Sequence, residues 1–183
     1  MRLARRLFVV PLANNDHGKT TMIKALVEQG EGIRRYDRLR KSRRSLTSPW
    51  GRVIDAYVFG RSYQEVDKGE FGSVEEALDG SDAMWRTREL IIMPSHVATE
   101  DHSDIDEMID LAHSAGFDAI AASVILSWDG GDNRDDFPNI WRKGWDERWT
   151  IPNQWKDDPE NPEGQLEALG RDLWVLVCRA LAG

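Results

Sequence analysis

The chain has 183 residues, of which 40% are hydrophobic, enough for one domain with a real core. Charged residues make up 31%, the net charge is −8, and no stretch approaches the ~18 apolar residues of a membrane span, which excludes a membrane-spanning chain. The single cysteine, Cys178, excludes an internal disulfide and a cysteine metal cluster, and fits a reducing cytoplasm.

The opening MRLARRLFVVPL sets basic residues before an apolar run, as a signal peptide would. The run is short and feeds into a polar loop, so Leu7-Phe8-Val9-Val10 reads as a strand buried on both faces. Residues 19 to 29 place Met22, Ile23, Leu26 and Val27 at helical spacing, and Gly30 can end that helix. Residues 34 to 44, RRYDRLRKSRR, then hold seven Lys/Arg and one Asp. That local charge of +6 in a chain of net −8 leaves −14 elsewhere. Such a block suits either an anionic partner at one place or a solvated basic helix or loop.

Thr47-Ser48-Pro49-Trp50-Gly51 is turn-like, and residues 53 to 59, VIDAYVF, read as a second strand. Residues 73 to 87 look helical, and Leu90-Ile91-Ile92-Met93 is a third strand stopped by Pro94. Ser103 or Asp104 can cap a helix that runs to Ala115, with Gly116 ending it, and residues 119 to 126 are a fourth strand. This β-α-β-α-β-α-β order predicts an α/β domain, a mostly parallel sheet with helices on both faces. Residues 129 to 162 contain only Ile140 and Ile151 as aliphatic side chains and read as a lid; a helix over 164 to 182 returns to the sheet.

The loop Ala13-Asn14-Asn15-Asp16-His17-Gly18-Lys19-Thr20-Thr21 lies between the first strand and the first helix. It fits the phosphate-loop pattern in its looser form, with Ala in the first glycine position. Backbone N–H groups and a helix N-terminus there would wrap phosphates. Lys19 would neutralise the β and γ phosphates, Thr20 would offer its hydroxyl to Mg²⁺, and Gly18 would allow close approach. The alternative is a polar βα turn.

FVVPLANNDHGKTT followed by a helix resembles the P-loop NTPase superfamily, and the size resembles its nucleoside, nucleotide and polynucleotide kinases. The resemblance implies the three-layer P-loop fold, ATP or GTP with Mg²⁺, a substrate near the end of the second strand and an arginine-bearing lid. The acidic residue expected after the third strand is replaced by Pro94, Ser95 and His96, and the guanine-reading N-K-x-D is absent. In overall character the chain also resembles virus-encoded kinases acting on hydroxymethylated pyrimidines, such as 5-hydroxymethyluracil, in DNA. That resemblance would place it in the host cytoplasm.

A kinase needs an orienting base and cations. Asp37 and Arg38 match the aspartate and arginine that polynucleotide kinases carry after the first helix. Arg61 follows the second strand and His96 the third; Asp55 competes with Asp37 as base, or is structural because it sits early in a strand. In the lid, Arg142 and Arg148 are candidates to reach the transferred phosphoryl group. Trp141, Trp145 and Trp149, spaced four apart, would share one helix face, either packing on the body or stacking a base. Arg40, Lys41, Arg43, Arg44 and Trp145 are therefore expected to meet a nucleotide or DNA. Two further readings stand beside the DNA kinase: a kinase of a free nucleoside, nucleotide or other small hydroxyl compound, and a non-catalytic nucleotide-binding regulator. The oligomeric state stays open.

Overall fold

The computed structural model describes residues 5–15, 17–33, 36–125, 134–152 and 162–183. Its sheet has six strands: β1 (Leu7–Leu12), β2 (Ser42–Thr47), β3 (Val53–Val58), β4 (Leu90–Ile92), β5 (Asp118–Val124) and β6 (Glu147–Ile151). They lie in the order β2-β3-β4-β1-β5-β6, with β2 antiparallel to β3 and all other pairs parallel. The helices are α1 (Lys19–Glu31), α2 (Asp67–Phe71), α3 (Val74–Ser81), α4 (His102–Ser114), α5 (Phe137–Trp141) and α6 (Pro162–Ala182).

β1 shows why the result is a three-layer α/β domain. All six of its residues are buried, so both faces must be covered. Leu7 and Val9 face a core built with Met22, Ile23 and Leu26 of α1 and Trp174 and Val177 of α6. Phe8, Val10 and Leu12 face a second core built with α3, α4 and α5. Each Leu, Val or Phe buried this way contributes roughly 1.5–3 kcal/mol, which concentrates stability around the central strand. α6 lies so close to α1 that a Cβ on Gly170 would stand 2.3 Å from the Met22 carbonyl oxygen.

Three elements differ from the sequence reading. The end of the basic block, residues 42–44, is neither helix nor loop but the start of the edge strand β2, Ser42–Thr47. Its side chains alternate: Arg44 and Leu46 point inward, while Arg43, Ser45 and Thr47 stay exposed. The turn at 48–51 closes this strand onto β3 through Ser48 N–H to the Arg52 carbonyl at 2.8 Å. The expected helix over 73–87 stops at Ser81 and resumes only as a single 3₁₀ turn, Trp85–Thr87. Asp82 breaks it, because its carboxylate accepts from Arg88 at 2.7 Å and from Met84 N–H at 3.1 Å, which pulls the chain out of the helix. Trp85, fully buried, then stacks on Phe117 at 6.0 Å.

The third difference concerns the lid. Residues 147–151 join the sheet as β6, parallel to β5, and Phe137, Ile140 and Trp145 are buried in the second core. That part of the 129–162 segment is body rather than lid; the parts at 129–133 and 153–161 lie outside the described residues.

Candidate functional site

The loop expected to hold phosphate joins the carboxyl end of β1 to the first turn of α1. Gly18 is the N-cap of α1 with φ 82° and ψ 13°, a left-handed conformation that favours glycine. Gly18 has no side chain with which to close the helix end, and the Met22 N–H donates to its carbonyl at 3.0 Å. Ala13, in the first glycine position of the motif, is buried in the core, and its N–H bonds to the Ser95 carbonyl at 3.3 Å, continuing the β1–β4 ladder. Asn14 accepts through Oδ1 from Val97 N–H at 3.2 Å, and the His17 Nδ1 lies 2.8 Å from the Asn15 carbonyl.

Lys19 is only 6% exposed. Its Nζ curls back over the loop and donates to the carbonyls of Ala13 and, at 2.8 Å, Asn14. The ammonium therefore sits inside the arc of loop backbone. Thr20 is exposed beside it, Thr21 is half-buried, and Asp16 lies outside the described residues.

β4 brings Ser95 and His96 alongside this loop. Ser95 is fully buried; its hydroxyl accepts from Gln64 Nε2 at 3.0 Å and donates to the His96 carbonyl at 3.0 Å. Gln64 also donates to Asp104 at 3.0 Å and accepts from His96 N–H at 3.0 Å. The His96 ring stands 3.7 Å from Glu65 and 3.9 Å from Asp101, beyond hydrogen-bond length. Burial holds its pKa below the ordinary histidine value, and the nearby Lys19 charge adds to the depression. Burial also raises the Asp101 carboxyl, and Lys68 bonds Asp104 at 2.7 Å.

The basic block divides. Arg44, nine-tenths buried, pairs with Glu31 at 2.8 Å and bonds the Tyr36 hydroxyl at 2.9 Å. Arg43 pairs with Asp55 at 2.9 Å, and Lys41 pairs with the buried Asp67. Asp55 is paired with both Arg43 and Arg88: burial opposes its ionisation, but the two arginines outweigh that and leave its carboxyl below the usual range. Arg38 and Arg40 remain exposed. With Arg61 they line a cavity of about 400 Å³ at the carboxyl end of β3, bounded by residues 38–41, 59–61, 66–67 and Glu70. Asp37 is exposed at the cavity's approach.

The tryptophans do not share a helix face. Only Trp141 lies in a helix, Trp149 lies in β6, and Trp145, buried in the turn between, gives its indole N–H to the Ile140 carbonyl at 2.9 Å. Trp145 is therefore core and not a stacking surface. Arg148 is bonded to the carbonyls of Trp141, Trp145 and Lys143 at 2.6, 3.2 and 3.0 Å, which ties the end of α5 to β6. Arg142, at the end of α5, is exposed and makes no side-chain bond among the described residues.

Sequence reasoning missed Gln64, Asp67, Lys68, Asp101 and Asp104. Gln64, Asp67, Lys68 and Asp101 sit on short helical turns with little periodicity, Asp104 on the first turn of α4, and only the fold gathers them. Among the described residues no group of three or more His, Cys, Asp or Glu could hold a metal, and no helix is long and apolar enough to cross a membrane. Comparison with protein-family models, with curated proteins and with solved structures finds no match for the chain.

Proposed function

We propose that this protein is a nucleoside-triphosphate-dependent phosphotransferase of the P-loop kind, with residues 13–20 holding the triphosphate of ATP or GTP. The observation that carries this reading is Lys19, held inside a glycine-turned loop at the N-terminus of α1. A fixed ammonium stands beside a helix N-terminus, and backbone N–H groups there would wrap a polyphosphate. Mg²⁺ would enter on the phosphate oxygens with Thr20 as its protein ligand; such ions keep several waters and need few protein groups.

In the transfer, the acceptor hydroxyl oxygen bonds the γ-phosphorus while the bond to the β–γ bridging oxygen breaks. The nucleoside diphosphate leaves, and the hydroxyl proton passes to a carboxylate or to water. Of the two lid candidates, Arg142 rather than the carbonyl-bonded Arg148 would meet the charge on the moving group. Of the acceptors open from the sequence, a free small compound has more support than a pyrimidine in DNA. Lys41, Arg43 and Arg44 already bind carboxylates, and Trp145 is buried.

The test is a transfer assay with γ-labelled ATP or GTP, offering nucleosides, nucleotides, plain DNA and hydroxymethylated DNA separately. Lys19→Ala should cut transfer by at least about tenfold to hundredfold, since each charge-assisted bond to phosphate is worth about 1.5–3 kcal/mol. Turnover like wild type in that variant sinks the reading. Triphosphate binding without transfer to any acceptor would point instead to a regulator.

A further inference from the structure

We infer that the cavity at the carboxyl end of β3 is a site for a small phosphate monoester, which on the phosphotransferase reading supplies the acceptor hydroxyl. Two chain segments far apart in sequence build it. Residues 38–41 lie across the end of β3 because Gly60 lets them: a Cβ there would stand 2.5 Å from the Leu39 carbonyl oxygen. Leu39, in turn, is anchored in the core beneath α1. The segment is thus seated on the sheet.

Its charges then decide what the cavity takes. Arg38, Arg40, Lys41 and Arg61 line it together with Asp67 and Glu70. Lys41 is paired with Asp67, within 4.0 Å of Glu70 as well. Arg38, Arg40 and Arg61 are exposed and have no ion pair or side-chain hydrogen bond among the described residues. Six arginines elsewhere in the fold, Arg5, Arg43, Arg44, Arg52, Arg86 and Arg88, each bind a carboxylate, and Arg142, Arg171 and Arg179, unpaired among the described residues, do not line this cavity.

Three arginines left without anions around one cavity are an anion site in waiting, and the charged lining carries an excess of two positive charges. A phosphate monoester carries close to two negative charges at neutral pH and accepts the planar, paired N–H donors of arginine. A diester in a nucleic-acid backbone carries one. The volume matches a small-molecule site, Phe59 and Leu39 give it apolar surface, and Asp67 and Glu70 can accept from hydroxyls of the same ligand.

The test is isothermal titration of the full chain with ribose 5-phosphate and each common nucleoside 5′-monophosphate. Each is set against its dephosphorylated parent and against an oligodeoxythymidylate lacking a terminal phosphate. At least one monoester should bind tenfold or more tightly than its parent. Arg38→Gln and Arg61→Gln should each weaken it by about tenfold to hundredfold while leaving ATP affinity and thermal stability unchanged. Both side chains are exposed and unbonded, so folding is not at issue.

The site is overturned if no monoester outbinds its parent or if the arginine variants bind like wild type. It is also overturned if the oligonucleotide binds more tightly than every monoester and loses that binding in the variants. Monoester binding that survives in a chain found not to bind ATP or GTP would leave the site standing and remove the phosphotransfer reading.

Discussion

Gly60→Ala tests how the cavity is held together. The added methyl would lie 2.5 Å from the Leu39 carbonyl oxygen and 3.2 Å from its carbon. An ordinary carbon–oxygen contact is about 3.3 Å or longer, so backbone must move by nearly 1 Å. Neither side yields easily, since Leu39 is packed in the core and Phe59 bonds through its N–H to the Ile92 carbonyl at 2.8 Å. Overpacking of this sort costs about 1–3 kcal/mol. Gly60 does not use a left-handed backbone, so alanine also restricts the unfolded chain and returns about 0.4–1 kcal/mol. The net loss should be on the order of 0–2.6 kcal/mol, a fall in Tm of up to roughly 10 °C for a chain of this size. Displacing residues 38–41 also moves Arg38 and Arg40, so monoester affinity should fall about tenfold while ATP affinity holds. Urea unfolding and titration calorimetry read both quantities. A variant as stable as wild type, with monoester affinity intact, would refute the seating of residues 38–41 on β3.

The two arginines once grouped together as lid residues should separate. Arg148→Ala removes three bonds to backbone carbonyls and should cost about 1–3 kcal/mol in chemical denaturation. Arg142→Ala should leave stability within about 0.5 kcal/mol and lower kcat more than nucleotide affinity; equal behaviour of the two would contradict their placement. Acid sensitivity should trace partly to Asp82, whose carboxyl the Arg88 guanidinium holds below the usual range. A depressed carboxylate stabilises the fold above its unfolded pKa, and that contribution is lost as pH falls through the folded value, so the loss begins below about pH 4. Asp82→Asn should be less stable at neutral pH and show a shallower decline in that acid range; an unchanged acid profile would count against the pairing.

Strands β1 and β4 were legible because each is an apolar run, the pattern of a strand covered on both faces, and β3 and β5 because apolar residues predominate in them. β2 was not, since SRRSLT has one aliphatic residue and hides an inward arginine whose partner, Glu31, belongs to another helix. β6 was missed for a similar reason: ERWTI sits at the sheet's edge, where one side needs no apolar cover. The spacing of four between tryptophans fits a helix, yet a turn after Trp141 breaks the register, so the periodicity was accidental. The loop at 13–20 could be read locally because its requirements are local: strand, glycine, lysine, helix. The cavity could not, because its cations are distinguished from their neighbours only by lacking a carboxylate, which is a property of the folded pairing pattern.

The close crossing of α1 and α6 ties the candidate phosphate loop to a distant part of the chain. Lys19 and Gly18 open α1, and α1 is pressed into place by α6 at the Met22 carbonyl. A long stretch of chain must therefore be threaded before that helix finds its final seat, a non-local closure that slows folding. Until then Met22, Ile23 and Leu26 show an apolar stripe to solvent, which makes any shortened version without α6 prone to self-association rather than merely inactive.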